Sequence, residues 1–107
     1  MVTPTGPGPR AAREPPPGPT DFRRSAARLW QVSDPTRLRV VLLLGDGERS
    51  VGDLRAEITC SMTALSRHLA LLRLAGLVVP RRDNQRNLYA LTDAGRDLRR
   101  VVARMVG

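Results

Sequence analysis

The sequence predicts a mainly α-helical domain with one small β-hairpin, in the order α-α-α-α-β-β-α. Three observations carry that prediction. Residues 33–79 read as a Pro-started helix (SDPTRLRVVLLLG), a short helix (SVGDLRAEI) and a longer helix (SMTALSRHLALLRLAG) that stops at Gly76. Two β-rich segments, LVVPRR and NLYALT, come next. The chain then closes on a segment whose apolar residues recur at helical spacing.

Each element has its own warrant. The first 20 residues hold 7 Pro and 3 Gly, so residues 1–19 are expected to form a disordered tail and residues 20–107 a single domain. A first helix starts near Thr20-Asp21, where Phe22, Ala26, Leu29 and Trp30 fall on one stripe. Asp34 caps a second helix and Pro35 takes its first position, where a missing N–H costs nothing. Leu38, Val41 and Leu42 are its expected inner face, and Gly45-Asp46-Gly47 ends it.

Ser50-Val51-Gly52-Asp53 reads as a capping box for the third helix, with Val51, Leu54 and Ile58 pointing inward. Thr59-Cys60-Ser61 makes the turn into the fourth helix, which Ser61 caps and Gly76 ends. Leu77–Arg82 and Asn87–Leu91 read as strands around an Asp83-Asn84-Gln85 loop. Pro80 cannot donate to a ladder, which puts its strand at an edge. Thr92 and Asp93 start a last helix with Ala94, Leu98, Val101, Val102 and Met105 as its apolar stripe.

Charge narrows the class of partner. The chain carries a net charge of +8, and all 18 of its basic residues are Arg. Residues 20–107 keep 16 Arg against 9 acids. A small domain this basic suits a polyanion, with nucleic acid first. With Cys60 as the one cysteine, no intrachain disulfide can form. No apolar run reaches membrane-spanning length and no secretory h-region opens the chain, so a cytoplasmic protein without a membrane partner is expected. One His and one Cys supply no acid–base pair or activated nucleophile, so the chain is not expected to be an enzyme. Three aromatic residues argue against a single-stranded RNA reader built on base stacking. Trp30 and Tyr89 read as packing residues.

The fourth helix carries the functional signal. Leu65, Leu69 and Leu72 must face the core, and His68 lies beside them. The opposite face shows Met62, Thr63, Ser66, Arg67, Ala70 and Arg73. Its N-terminal half is small, polar and basic, as entry into a major groove requires. A helix N-terminus also attracts phosphate through its unpaired N–H groups. Three short helices followed by a hairpin wing are the plan of a winged helix-turn-helix DNA reader.

At these residues the chain resembles the ArsR-type (ArsR/SmtB-like) winged-helix repressors. The matching strings are SDPTRLRVVLLL, ERSVGDL, LSRHLALLRLAGLV and NLYALT, within about residues 22–106. The resemblance implies a homodimer whose first and last helices pack across a two-fold axis. Phe22, Ala26, Leu29, Trp30, Leu98, Val101, Val102 and Met105 would form that interface. It further implies repression of a nearby promoter through double-stranded, palindromic operator DNA, relieved by an effector that these residues do not identify. Ser61, Met62, Thr63, Ser66 and Arg67 would approach bases, and Arg73, Arg81, Arg82 and Arg86 would hold phosphates. The family often has Gln at Met62, and Met can only touch a thymine methyl, so a relative's operator does not transfer.

The family's metal ligands do not transfer either. One site uses Cys-x-Cys where this chain has Ser50 and Gly52. Another uses Asp-x-His early in the last helix, where Asp93 matches but Gly95 stands for the His. No metal or other cofactor is therefore expected, and Asp93 reads as a helix N-terminal charge. Cys60 reads as a small packed hydrophobe, with a redox-responsive repressor as the alternative. His68 reads as a hydrogen-bonded residue between helices, with a phosphate contact as the alternative. Arg96, Arg99, Arg100 and Arg104 read as a solvated face. From another class, the competing function is a winged-helix module that binds protein and not DNA.

Overall fold

The computed structural model describes residues 15, 16 and 18–106. The disordered-tail reading of residues 1–14 and 17 lies outside the described residues. Helix α1 spans Pro19–Gln31, one residue earlier than expected. The Asp21 carboxylate accepts from the Gly18 N–H at 3.0 Å and closes its first turn. No side chain of α1 is buried, and Phe22, Leu29 and Trp30 stay exposed. Trp30 thus does not pack within the chain. A helix of this length is marginal in water without tertiary packing, so its apolar stripe lacks a surface to cover.

Helix α2 (Pro35–Leu44) is capped by Asp34, which accepts from the Arg37 N–H at 2.9 Å. Val40, Val41 and Leu44 are buried, whereas Leu38 and Leu42 are only partly so. The expected inner face thus holds at Val41, and Leu38 and Leu42 do pack against the core, but the expectation missed Val40 and Leu44. The physical reason is that α2 touches several neighbours at once, and a segment apolar nearly all round has no single-face signal. The Arg37 N–H bond is the main cause that holds the Asp34 carboxyl below its ordinary range. A lowered folded-state value means the cap contributes fully above the ordinary carboxylate range and is lost as pH falls through it. Asp34→Ala is expected to cost about 1 kcal/mol at neutral pH, with the gap to wild type closing in acid. Urea melts at several pH values check this, and a pH-independent gap would refute it.

A short strand that the sequence reading lacked comes next. β1 (Arg49–Ser50) pairs antiparallel with a later strand, Arg49 opposite Tyr89 and Ser50 opposite Leu88. Two residues carry no alternation to read. Ser50, extended as an N-cap must be, serves strand and helix together. In α3 (Val51–Glu57) the capping box forms as expected, with the Asp53 N–H donating to Ser50 Oγ at 3.1 Å and the Ser50 N–H to Asp53 Oδ2 at 3.3 Å. Leu54 and Ile58 are buried; Val51 is partly so.

Helix α4 (Met62–Leu74) starts with Ser61 Oγ accepting from the Ala64 N–H at 3.1 Å. It ends in a Schellman motif, with the Leu77 N–H bonded to the Leu72 carbonyl at 3.0 Å and the Gly76 N–H to the Arg73 carbonyl at 2.9 Å. Gly76 takes the left-handed conformation that this motif needs, at φ 75°.

Strands β2 (Val78–Asp83) and β3 (Arg86–Leu91) form the hairpin, and the sheet order is β1-β3-β2. Pro80 is accordingly on an edge. The hairpin tip is tighter than the expected three-residue loop: Asp83 pairs with Arg86, and Asn84, at φ 56°, turns the chain. Helix α5 (Asp93–Val106) is capped by Thr92, which accepts from the Gly95 N–H at 3.1 Å and donates to the Gly76 carbonyl at 2.5 Å. The start of α5 is thereby fastened to the end of α4. The core gathers Leu54, Leu65, Leu69, Leu72 and Leu77 around Val40 and Val41. Leu98 and Val102 of α5 join it.

Candidate nucleic-acid interface

Burial of Leu65, Leu69 and Leu72 fixes the roll of α4. Ser61, Met62, Thr63, Ser66, Arg67 and Arg73 are all left exposed. The face that the sequence assigned to bases is therefore open, and the first-turn N–H groups of α4 lie at its tip.

His68 is used internally. Its Nδ1 lies 3.0 Å from an Arg37 guanidinium nitrogen and 3.9 Å from Asp34 Oδ2. A guanidinium can only donate, so Nδ1 is the acceptor in this bond. The reading of His68 as a hydrogen-bonded residue between helices fits this arrangement better than a phosphate contact. Arg37 also donates from Nε to the Gln31 carbonyl at 2.6 Å. Nothing in the sequence pattern marked Arg37 for this role.

The wing arginines have internal partners, which the sequence did not reveal. Arg81 forms a two-bond fork to Glu48, with Nε to Oε2 at 2.8 Å. That hydrogen bond is the main cause that holds the Glu48 carboxyl below its ordinary range and raises Arg81. Arg86 lies 3.3 Å from Asp53 Oδ2. The Asp53 carboxyl is lowered chiefly by its Ser50 hydrogen bonds, with Arg86 adding to the effect. Arg82 donates to the Asn84 carbonyl at 3.2 Å. Both acids lie 33 residues from their arginines, too far for any local signal. Both pairs lie at the surface, where water and salt screen the attraction, so a phosphate can displace them.

The remaining assignments divide. Arg99 is no part of a solvated face: it crosses to α2, donating to the Leu42 carbonyl at 3.3 Å, and Asp46 lies 3.9 Å away. Arg96, Arg100 and Arg104 are exposed as expected, although Arg96 also donates to the Leu91 carbonyl at 2.9 Å and pairs with Asp93. Cys60 is partly buried against the core. Ser50 is committed to its cap, and a Cβ on Gly95 would lie 2.1 Å from the Leu77 carbonyl oxygen. No group of three His, Cys, Asp or Glu suited to a metal occurs among the described residues. No helix among them is long and apolar enough to cross a membrane.

The two apolar stripes also separate. Phe22, Ala26, Leu29 and Trp30 of α1 and Val101 and Met105 of α5 are exposed, joined by Val106. Leu98 and Val102, at 9% and 5% exposed, belong instead to the chain's own core. Periodicity alone could not separate the two halves of a stripe broad enough to serve both.

Comparison with known proteins agrees with this geometry. A helix-turn-helix domain family matches residues 32–81. The transcriptional activator HlyU of Vibrio cholerae is 38% identical over 69 residues, which are 64% of this chain and 64% of HlyU. The biofilm growth-associated repressor of Xylella fastidiosa is 41% identical over 66 residues, 62% of this chain and 58% of the repressor. The match therefore spans less than two thirds of the length of these two relatives. The HTH-type transcriptional regulator Rv2034 of Mycobacterium tuberculosis is 38% identical over 73 residues, 67% of this chain and 68% of that one. The solved structure of HlyU superposes with a TM-score of 0.77 at 30% identity, covering 82% of this chain and 97% of that one.

Proposed function

Because the chain belongs to the ArsR-type family of winged helix-turn-helix transcriptional regulators, we propose that it is a cytoplasmic homodimeric repressor of a palindromic operator, with no metal cofactor and no enzymatic activity. The observation that carries this reading is the open, polar N-terminal half of α4, backed by a fully buried leucine stripe. Ser61, Met62, Thr63, Ser66 and Arg67 approach base edges in the major groove. Arg73, Arg81, Arg82 and Arg86 hold phosphates, Arg81 and Arg86 by exchanging Glu48 and Asp53 for the DNA backbone. Residues 20–107 do both the binding and the pairing; Gly18 and Pro19 belong with them as the cap and first residue of α1, and the residues before Gly18 are dispensable. The packing of Cys60 against the core supports a structural role over a redox trigger.

The test is binding to a duplex that the wild-type protein selects from a random-sequence library, measured across salt concentrations. Affinity is expected to fall steeply with salt, and Arg82→Ala to reduce the log–log slope by about one. Failure to select any duplex defeats the DNA-binding reading. An unchanged slope and affinity in Arg82→Ala removes that arginine from the contact set.

A further inference from the structure

We propose that Arg28 and Arg37 are positioning residues for operator recognition, because they tie α1 to two separate points along α4. This rests on the reading above, in which α1 carries the dimer surface and α4 reads DNA.

Helix α1 buries no side chain. Val32, just past its end, is the residue that enters the core there. Its placement against α4 depends heavily on polar ties, and two are present. Arg28 donates from Nε to the carbonyl of Ala75, the C-cap of α4, at 3.2 Å. That end of a helix carries partial negative charge, so the cation suits it. The second tie is Arg37, whose fork joins the Gln31 carbonyl at the end of α1 to His68 Nδ1 in mid-α4. The Arg37 backbone is pinned by the Asp34 cap.

Both arginines are half-buried, so their charge-assisted bonds are sheltered from solvent. A planar guanidinium also fixes direction, which a lysine ammonium does not. Two attachments, one at the end of α4 and one near its middle, set tilt as well as distance. In a dimer paired through α1, they set the separation and angle of the two recognition helices. A palindrome demands half-sites one DNA turn apart, about 34 Å. Phosphate attraction makes no such demand. Weakened ties should cost specific binding and spacing selectivity while sparing non-specific binding.

The experiment compares wild type with Arg28→Met, Arg37→Met, His68→Leu and His68→Asn in the full chain. Asn places an amide oxygen close to the position of Nδ1 and keeps the acceptor. Each protein is assayed on the wild-type-selected duplex, a random duplex, and selected duplexes with one base pair added or removed at the centre. Sedimentation and thermal melting are run in parallel. Both Arg variants and His68→Leu are expected to lose about tenfold on the selected duplex and less than about twofold on random DNA. They should remain dimers, and their penalty for altered spacing should shrink. His68→Asn should recover most of the loss. Unchanged discrimination between selected, random and respaced duplexes overturns the proposal, as does an equal loss on all three. If the Arg variants do not fold, the His68 pair decides: equal behaviour of Leu and Asn overturns the proposal. A wild type that selects no duplex is a different failure, that of the DNA-binding reading itself.

Discussion

Trp30→Glu and Val101→Glu are expected to convert the protein to a folded monomer and to weaken binding to a selected palindrome by about a hundredfold, the avidity lost with the second recognition helix. Trp30 is 71% and Val101 58% exposed in the protomer, so a carboxylate at either position leaves the core intact. The same carboxylate in a dimer interface would be desolvated without a partner. Phe22, Leu29, Trp30, Val101, Met105 and Val106 are all large apolar side chains left exposed, and exposed apolar side chains that form one patch mark an interaction surface. Leu98 and Val102 are the wrong places for this test, because a charge there would disrupt the protomer itself. Sedimentation of each variant beside its operator affinity checks the result. A wild type that sediments as a monomer at micromolar concentration, yet binds one half-site tightly, would show the apolar surface to have another use.

Gly95→Ala is expected to lower stability by about 1–3 kcal/mol, the cost of overpacking a site that cannot yield. On helix propensity alone the change should be stabilising by about 1 kcal/mol. Geometry decides the sign. The added Cβ would stand 2.1 Å from the carbonyl oxygen of Leu77 and 3.2 Å from the Leu91 side chain. The Leu77 oxygen is backbone and already accepts the Thr92 N–H at 3.0 Å, so it cannot swing aside as a side chain would. Helix α5 would have to move off the start of the hairpin. Urea denaturation gives the answer directly, and a neutral or stabilising Gly95→Ala would show that α5 shifts freely. The same collision bears on metal sensing. A histidine at position 95, which the family's last-helix site needs, has no room unless α5 moves.

The candidate site was legible to different depths in different parts. The exposed face of α4 could be read because its opposite face repeats Leu65, Leu69 and Leu72 at helical spacing, and burial of one face dictates the other. The caps at Asp34, Ser50 and Ser61 and the glycine stop at Gly76 were equally clear, since each satisfies backbone groups within a few residues. The wing was less clear. Its strands announced themselves, but their acids did not, because Glu48 and Asp53 come from earlier elements. On α2 the buried Val40 and Leu44 were not legible, because its five consecutive residues Val40–Leu44 are all apolar.

The family, the helical order, the caps and the open face of α4 were all readable from the chain alone. These follow from local hydrogen bonding and from periodicity, both of which act over a single turn or a single pleat. Packing in three dimensions was needed to show which half of α5 is core and which is surface, that Arg81 and Arg86 rest on acids, and that Arg28 and Arg37 reach α4. Those outcomes depend on contacts between residues that are near in space and distant along the chain. Arg28 and Ala75 are 47 residues apart. A hydrogen bond over that distance exists only once packing has brought the two helices together.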